Sequence, residues 1–350
     1  MIRERTHPYG TGSTVLRTGA VPRQLWLLST MENWKTASRI LPAIGSRPPL
    51  VLISCKLKDF FHMSNSCLEV LNQAVEKLRS EGIDRPRTNA ELLLEAVLNV
   101  PKIELYLNRD RILTPSETEK FNLFIRERIS GRPLQYIIGS TEFFGLEFKV
   151  NEHVLIPRPE TETLVEIVIE RLKNRSSPKI IDIGTGTGAI AVSLAKNLKN
   201  SMIFATDISE EALMVAKENA RINKVENQIE FLQGDLFEPL KDKNLEGKIN
   251  CVVSNPPYVS QEEFDQLPKE VKEYEPIVAL KTDQEGTLFH RRIIENSLDF
   301  LGKEGILALE LGLDQAEKVV GLFRKYSNFK DIEIKKDLGG IDRVVVASKV

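Results

Sequence analysis

Lys179-Ile180-Ile181-Asp182-Ile183-Gly184-Thr185-Gly186-Thr187-Gly188 changes character at its midpoint, from an unbroken β-prone run to a glycine turn. Residues 189–198 (Ala-Ile-Ala-Val-Ser-Leu-Ala-Lys-Asn-Leu) then read as a helix. A continuous apolar strand, a tight turn and a helix form the opening unit of a parallel α/β sheet, whose strands are buried on both faces. The unit repeats downstream. Residues 203–207 form a second strand candidate and 210–223 a second helix; further strands are expected at 229–232, 250–254, 305–311, 332–336 and 343–348. Strands alternating with helices predict an α/β, Rossmann-like, seven-stranded doubly wound sheet. The last two candidates flank Gly339-Gly340, which predicts an antiparallel hairpin at one sheet edge.

Composition excludes several classes. The chain has 350 residues, 41% hydrophobic and 28% charged, so disordered and collagen-like chains are ruled out. No apolar run approaches the roughly 18 residues a membrane span requires. Cys55, Cys67 and Cys251 are odd in number and lack CxxC spacing, and His7, His62, His153 and His290 are scattered, so neither a disulfide framework nor a metal site is expected. Net charge is −2, but residues 1–62 carry nine Lys/Arg against three Asp/Glu. The remainder is therefore acidic, which argues against stable nucleic-acid binding through phosphate neutralisation.

Ahead of the sheet the pattern divides into three. Residues 1–62 are rich in Pro, Ser, Thr and Arg and read either as a targeting segment or as a stretch upstream of a true start at Met63. The second reading is preferred, because neither a clean amphipathic helix nor a cleavage pattern is present. Residues 63–131 read as a small helical bundle. Ser66-x-x-Glu69 and Thr88-x-x-Glu91 have capping-box spacing, and Thr114-Pro115-Ser116-Glu117 places proline at a first helical turn. Gly131 ends the third helix. Residues 132–157 carry β-prone runs at 136–139 and 142–150, expected as a hairpin linker to the domain spanning 158–350.

The glycine turn Gly184, Thr185, Gly186, Thr187, Gly188 lies at a strand end, where open α/β sheets bind ligands, and the following helix start is expected to offer free amides. Its G-x-G-x-G spacing is one residue short of the dinucleotide fingerprint that holds a pyrophosphate. Asp207 ends the next strand about twenty residues on, where an acid can accept both ribose hydroxyls. A ribose acid without a phosphate cradle predicts S-adenosyl-L-methionine rather than a nicotinamide cofactor. Asp235 and Leu236, after the third strand, are candidates to frame its adenine.

Ser254-Asn255-Pro256-Pro257-Tyr258 follows the fourth strand. Two prolines stiffen the loop and supply carbonyls without amides of their own. With the Asn255 side-chain carbonyl they can grip both N–H bonds of a planar –NH₂ group. Tyr258 is expected to offer such a group a flat face.

Residues 181–191 together with Asn255-Pro256-Pro257-Tyr258 resemble class I S-adenosylmethionine-dependent methyltransferases that act on planar nitrogens. Three further segments narrow the resemblance: Leu155-Ile156-Pro157-Arg158-Pro159-Glu160-Thr161-Glu162, Tyr274-Glu275-Pro276 with Ala279-Leu280, and 337–345 (Asp-Leu-Gly-Gly-Ile-Asp-Arg-Val-Val). With the bundle, the chain from about Met63 to Val350 is similar to the peptide chain release factor glutamine methyltransferases (the PrmC/HemK family). That resemblance implies methylation of the side-chain amide nitrogen of the glutamine in a release factor's Gly-Gly-Gln motif. It implies cofactor roles for Gly184 to Gly188, Asp207, Asp235, Leu236 and Asn255, substrate roles for Asn255 to Tyr258, and docking of the release factor by the bundle and hairpin.

Three rivals remain. A glutamine methyltransferase for a ribosomal protein tends to carry a Ser-Pro-Ile variant where this chain has Arg158-Pro159-Glu160. A nucleic-acid amino-group methyltransferase needs a basic or target-recognising appendage, whereas the bundle carries Glu69, Glu76, Glu81, Asp84, Glu91 and Glu95. A non-enzymatic S-adenosylmethionine-binding module does not need the intact proline loop. Arg158 and Glu160 are open between active-site contacts and an interdomain salt bridge; Cys251 is expected in the core. The expected setting is the cytoplasm and the expected state a monomer.

Overall fold

The computed structural model describes residues 66–350; the readings of residues 1–62 and of Met63 lie outside the described residues. In α1 (Cys67–Ser80), Leu71, Val75 and Leu78 share a buried face with Cys67, Val70 and Ala74. Ser66 does not build the expected capping box. Its hydroxyl donates to the Glu69 Oε2 carboxylate at 2.8 Å instead of accepting from a helix amide, while the amides of Cys67 and Leu68 donate to the Arg111 and Arg109 carbonyls. Helix α2 (Pro86–Leu98) begins two residues before Thr88, with Pro86 in the first turn where its missing N–H costs nothing. Glu91 is consequently no cap. It is buried and pairs with Lys102 Nζ at 2.5 Å and the Tyr106 hydroxyl, both on α3 (Lys102–Leu107), a helix the sequence pattern does not announce.

The Thr114 capping box is present at the head of α4 (Pro115–Ile129): Glu117 N donates to Thr114 Oγ1 at 3.2 Å, and Thr114 N to Glu117 Oε2 at 2.8 Å. Thr114→Ala is expected to lower unfolding free energy by about 1 kcal/mol. Urea denaturation would reveal this as a lower midpoint at unchanged slope.

Residues 134–138 are helical, not the β-strand expected from Tyr136-Ile137-Ile138. Pro133 starts α5 (Leu134–Ile138) and Gly139, at φ +85°, ends it; Ile137 packs into the bundle core and the Tyr136 hydroxyl donates to the Val154 carbonyl at 2.5 Å. The hairpin itself is present. Strands β1 (Ser140–Phe143) and β2 (Leu146–Lys149) pair antiparallel through Phe144-Gly145, both with positive φ, as a twisted two-residue turn requires.

After α6 (Thr161–Leu172) the chain builds the sheet. It runs β3 (Lys179–Ile183), α7 (Ala189–Asn197), β4 (Met202–Asp207), α8 (Glu210–Ile222), β5 (Ile229–Gln233) and β6 (Ile249–Ser254). Three short helices follow, α9 (Gln261–Gln266), α10 (Lys269–Tyr274) and α11 (Ile277–Leu280). The chain closes with α12 (Leu288–Phe300), β7 (Leu301–Glu310), α13 (Ala316–Phe323), β8 (Phe329–Lys336) and β9 (Asp342–Lys349). Seven strands lie in the order β5-β4-β3-β6-β7-β9-β8. The first five are parallel, and β9 and β8 form the expected antiparallel edge hairpin.

Adjacent residues of the apolar strands serve opposite faces. Ile180, Cys251 and Val253 pack with α6 and α7, whereas Ile181, Val252 and Leu307 pack with α12 and α13. The strand order reverses between β3 and β6, so their carboxyl ends open a crevice.

Candidate active site

That crevice is a cleft of about 850 Å³, open to solvent, walled by Gly184, Gly186, Asp207, Asp235, Leu236, Asn255, Pro256 and Pro257. Segments remote in sequence complete it: His153 to Leu155, Pro276 with Val278 and Ala279, and Phe289 with Ile293 on α12.

The glycine loop is held from within. Gly184 N and Thr185 N both donate to the Thr206 carbonyl at 2.9 Å, Gly186 N donates to Asp207 Oδ2 at 2.8 Å, and Gly188 N donates to the Thr185 carbonyl at 2.8 Å. Ala189 N is taken by the Thr187 hydroxyl at 3.3 Å. The amides of Gly184, Thr185, Gly186, Gly188 and Ala189 are therefore already engaged within the protein. Gly184 (φ +69°) and Gly186 (φ +54°) would each direct a Cβ into open space. Gly188 is glycine for another reason: a Cβ there would lie 3.2 Å from Ala216 Cβ, so it sets the approach of α8.

Thr185 and Thr187 are buried and do not line the cleft. Thr185 Oγ1 donates to Asp182 Oδ2 at 2.6 Å, and the Thr187 carbonyl accepts from Asn219 Nδ2 at 2.9 Å. Burial pushes the Asp182 carboxyl up to about 7, against the hydrogen bonds from Thr185 and the Ala191 amide.

Asp207 reaches the cleft with both oxygens already engaged. Oδ1 accepts from Ser209 N at 3.0 Å and Oδ2 from Gly186 N, and each oxygen keeps acceptor capacity. Burial raises its pKa, with the amides of Ser209, Gly186 and Ile208 opposing the shift. Asp235 pairs with Arg292 Nη2 at 2.6 Å, and Arg292 lies over the Phe289 ring. Leu236, at φ +51°, Phe289 and Ile293 supply an apolar wall. These residues fit S-adenosylmethionine: an acid for a ribose and an apolar slot for a flat base.

The proline loop is braced on three sides. Ser254 Oγ donates to the Ile183 carbonyl at 2.7 Å, Val259 N to the Leu280 carbonyl at 2.9 Å, and Gln315 Nε2 to the Tyr258 carbonyl at 2.9 Å. No donor among the described residues meets the carbonyls of Pro256 or Pro257. Asn255 Nδ2 donates to Thr161 Oγ1 at 3.1 Å. Tyr258 departs from expectation. It is not part of the cleft wall; its hydroxyl is 3.5 Å from Glu310 Oε1, its ring closes on Gly312, and burial by these neighbours raises its pKa. Glu310 is itself buried, which pushes its carboxyl up to about 7 against Thr161 hydrogen bonding and the Arg343 charge.

Arg158 settles as a salt bridge. Its Nη2 lies 2.6 Å from Glu275 Oε1, and Glu275 Oε2 accepts from Ile156 N at 3.3 Å. This joins two of the singled-out segments and places Pro276 at the cleft. Arg158→Met leaves the Glu275 carboxylate buried without its partner. The expected loss is about 1–2 kcal/mol of stability, below the fully buried case because Arg158 is 31% exposed. A lowered thermal midpoint, restored by a second change Glu275→Gln, checks it. The closing segment is also structural: Asp337 accepts from Gly339 N and Ile341 N and pairs with Arg343 Nε at 3.1 Å, while Arg343 Nη1 reaches the Leu311 carbonyl. Cys251 is fully buried in β6, as expected.

Sheet order, glycine loop, strand-end acid and proline loop define a class I S-adenosylmethionine-dependent methyltransferase. The family model for the methyltransferase small domain matches residues 161–271, and that for the PrmC N-terminal domain matches residues 69–139. The chain is 40% identical over 293 residues to a release factor glutamine methyltransferase of Fusobacterium nucleatum subsp. nucleatum, covering 83% of this chain and 80% of that one. It is 39% identical over 283 residues to one of Chlorobaculum tepidum, covering 79% and 95%. A solved structure, the protein-(glutamine-N5) methyltransferase (release factor-specific) of Alicyclobacillus acidocaldarius subsp. acidocaldarius, is 29% identical, covers 58% of this chain and 99% of its own, and has a TM-score of 0.36. The chain belongs to the release factor glutamine methyltransferase family.

Proposed function

We propose that this enzyme transfers the methyl group of S-adenosylmethionine to the side-chain amide nitrogen of the glutamine in the Gly-Gly-Gln motif of peptide chain release factors. The observation that carries the reading is the juxtaposition, in one cleft, of the Asp207 carboxylate with the unpartnered carbonyls of Pro256 and Pro257 beside Asn255. The bound cofactor supplies an activated methyl group on a sulfonium. Asp207 is assigned to the ribose hydroxyls, Gly184 and Gly186 to close backbone approach, and Asp235 with Leu236 to the adenine. Thr185, Thr187 and Gly188 shape the loop from behind.

Asn255 Oδ1 and the proline carbonyls accept the two amide N–H bonds of the glutamine. An amide lone pair is delocalised and weakly nucleophilic, so holding both protons orients it and stabilises the positive charge that develops on nitrogen. No general base is required, since the proton can leave late to water. Tyr258 serves by anchoring the loop.

Residues 63–131 with the hairpin region 132–157 are proposed to dock the release factor. Ile103, Leu107, Ile112 and Leu123 leave apolar surface exposed on the bundle. A monomer supplies every group named, and no nucleic acid is needed. No described helix is long and apolar enough to cross a membrane, and the reading puts the reaction in the cytoplasm.

Labelled methyl transfer to a purified release factor, beside a copy whose Gly-Gly-Gln glutamine is alanine, tests the reading. Label on the first alone supports it. Label only on a ribosomal protein or a nucleic acid, run in parallel, overturns the substrate and keeps the chemistry.

A further inference from the structure

Arg292 lies on α12 and is not part of the cleft wall, whereas Asp235, Phe289 and Ile293 are. Its Nη2 donates to Asp235 Oδ2 at 2.6 Å across 57 residues of sequence. Its guanidinium carbon stands over the Phe289 ring, 6.0 Å from the ring centre. One cation behind the wall thus holds both the acid that follows β5 and an aromatic ring of the same wall.

The backbone of Asp235 is fixed without that contact. Gly234 N donates to the Asp207 carbonyl at 2.9 Å, and the Asp235 carbonyl accepts from Glu238 N at 3.0 Å. Arg292 therefore decides only how the carboxylate is turned. With Oδ2 taken, Oδ1 meets no donor among the described residues, although Asp235 belongs to the wall. A carboxylate paired with a guanidinium is ionised and can only accept, so the remaining oxygen suits an N–H group of a ligand.

Resting on the assignment of this wall to the adenine of S-adenosylmethionine, we infer that Arg292 is the positioning residue that makes the site selective for a 6-amino purine. It holds Oδ2 of Asp235 so that Oδ1 takes an N–H of the exocyclic amino group, beside the apolar surface of Leu236 and Phe289. Arg292 touches no part of the cofactor in this scheme; it acts through Asp235. A site that pairs an N–H in this way loses affinity for an analogue lacking it, because its acceptor is then left unpaired. Asp235 and Arg292 are 36% and 38% exposed, which holds the expected discrimination to about tenfold, below that of a buried pair.

The test titrates the full chain, without release factor, with S-adenosylhomocysteine and with its analogue bearing hydrogen in place of the purine 6-amino group. The native chain should bind the amino form about tenfold more tightly. Arg292→Met should bring the two ligands within about threefold, by weakening the amino form while the analogue stays within about twofold. Asp235→Ala should do the same, and adding Arg292→Met to it should cost no more than about twofold further, since the two residues act as one. Arg291→Met removes the same charge from a neighbouring arginine paired with Glu285, and should keep the native preference. A native ratio near one, a native ratio kept in Arg292→Met, equal loss of both ligands, additive losses in the double variant, or loss of the preference in Arg291→Met overturns the inference.

Binding alone decides the point, which separates it from the functional reading. A chain that shows the amino preference yet transfers no methyl group to release factor overturns the proposed function and leaves Arg292 in its role. A chain that methylates release factor but binds both ligands equally keeps the proposed function and removes that role. Binding of neither ligand overturns both.

Discussion

Replacing Asn255 by alanine is expected to lower turnover about 100- to 1,000-fold while leaving S-adenosylmethionine affinity largely intact. The size follows by analogy with removal of one oriented donor from an oxyanion hole, which costs about 2.7–4 kcal/mol. Here the polarity is reversed: acceptors meet N–H bonds that become more acidic as the nitrogen gains a fourth bond. The interaction is therefore stronger in the transition state than in the ground state, and its loss falls on kcat.

The loop itself should survive the change. Ser254 remains tied to Ile183, Val259 to Leu280 and Gln315 to the Tyr258 carbonyl, none of which uses the Asn255 side chain. Single-turnover methyl transfer gives the rate, and calorimetry gives the cofactor affinity. A native rate in Asn255→Ala would sink the proline-loop mechanism.

Asp207→Ala should instead weaken cofactor binding, by about 10- to 150-fold. Hydrogen bonds to a charged acceptor contribute about 1.5–3 kcal/mol each, and the net loss is that of one ribose hydroxyl. The structure adds a second consequence. Asp207 also accepts from Gly186 N and Ser209 N, so its removal loosens the glycine loop that walls the same cleft.

For that reason Asp207→Asn should rescue little. An amide has one acceptor oxygen where the carboxylate has two, and its –NH₂ would face one of the two backbone donors. Calorimetric titration of both variants decides the point: unchanged affinity in alanine contradicts the ribose assignment, and full recovery in asparagine contradicts the double backbone role.

Much of the sheet was legible because its signals are local. A β-prone run broken by glycine, then a helix, can be read from ten consecutive residues, and the repeat of that unit gives the α/β class. Asp207 and Asn255-Pro256-Pro257 were legible for the same reason, since each ends a strand and strand ends of a parallel sheet open one crevice. The errors were local rules overridden by neighbours. Ser66 spends its hydroxyl hydrogen on the Glu69 carboxylate and caps no amide, and 134–138 turned helical between Pro133 and Gly139.

By itself the sequence determined the fold class, the missing phosphate cradle implied by G-x-G-x-G spacing, and the two strand ends that carry the chemistry. Only the tertiary structure decided that Thr185, Thr187 and Gly188 face inward, that Tyr258 is spent on Glu310 and Gly312, and that Arg158 belongs to Glu275. It alone brought Thr161 to Asn255. The physical reason is range: periodicity and turn chemistry act over a few residues, whereas the partner of a buried polar group is whichever acceptor or donor the packed sheet brings alongside it, however distant in the chain.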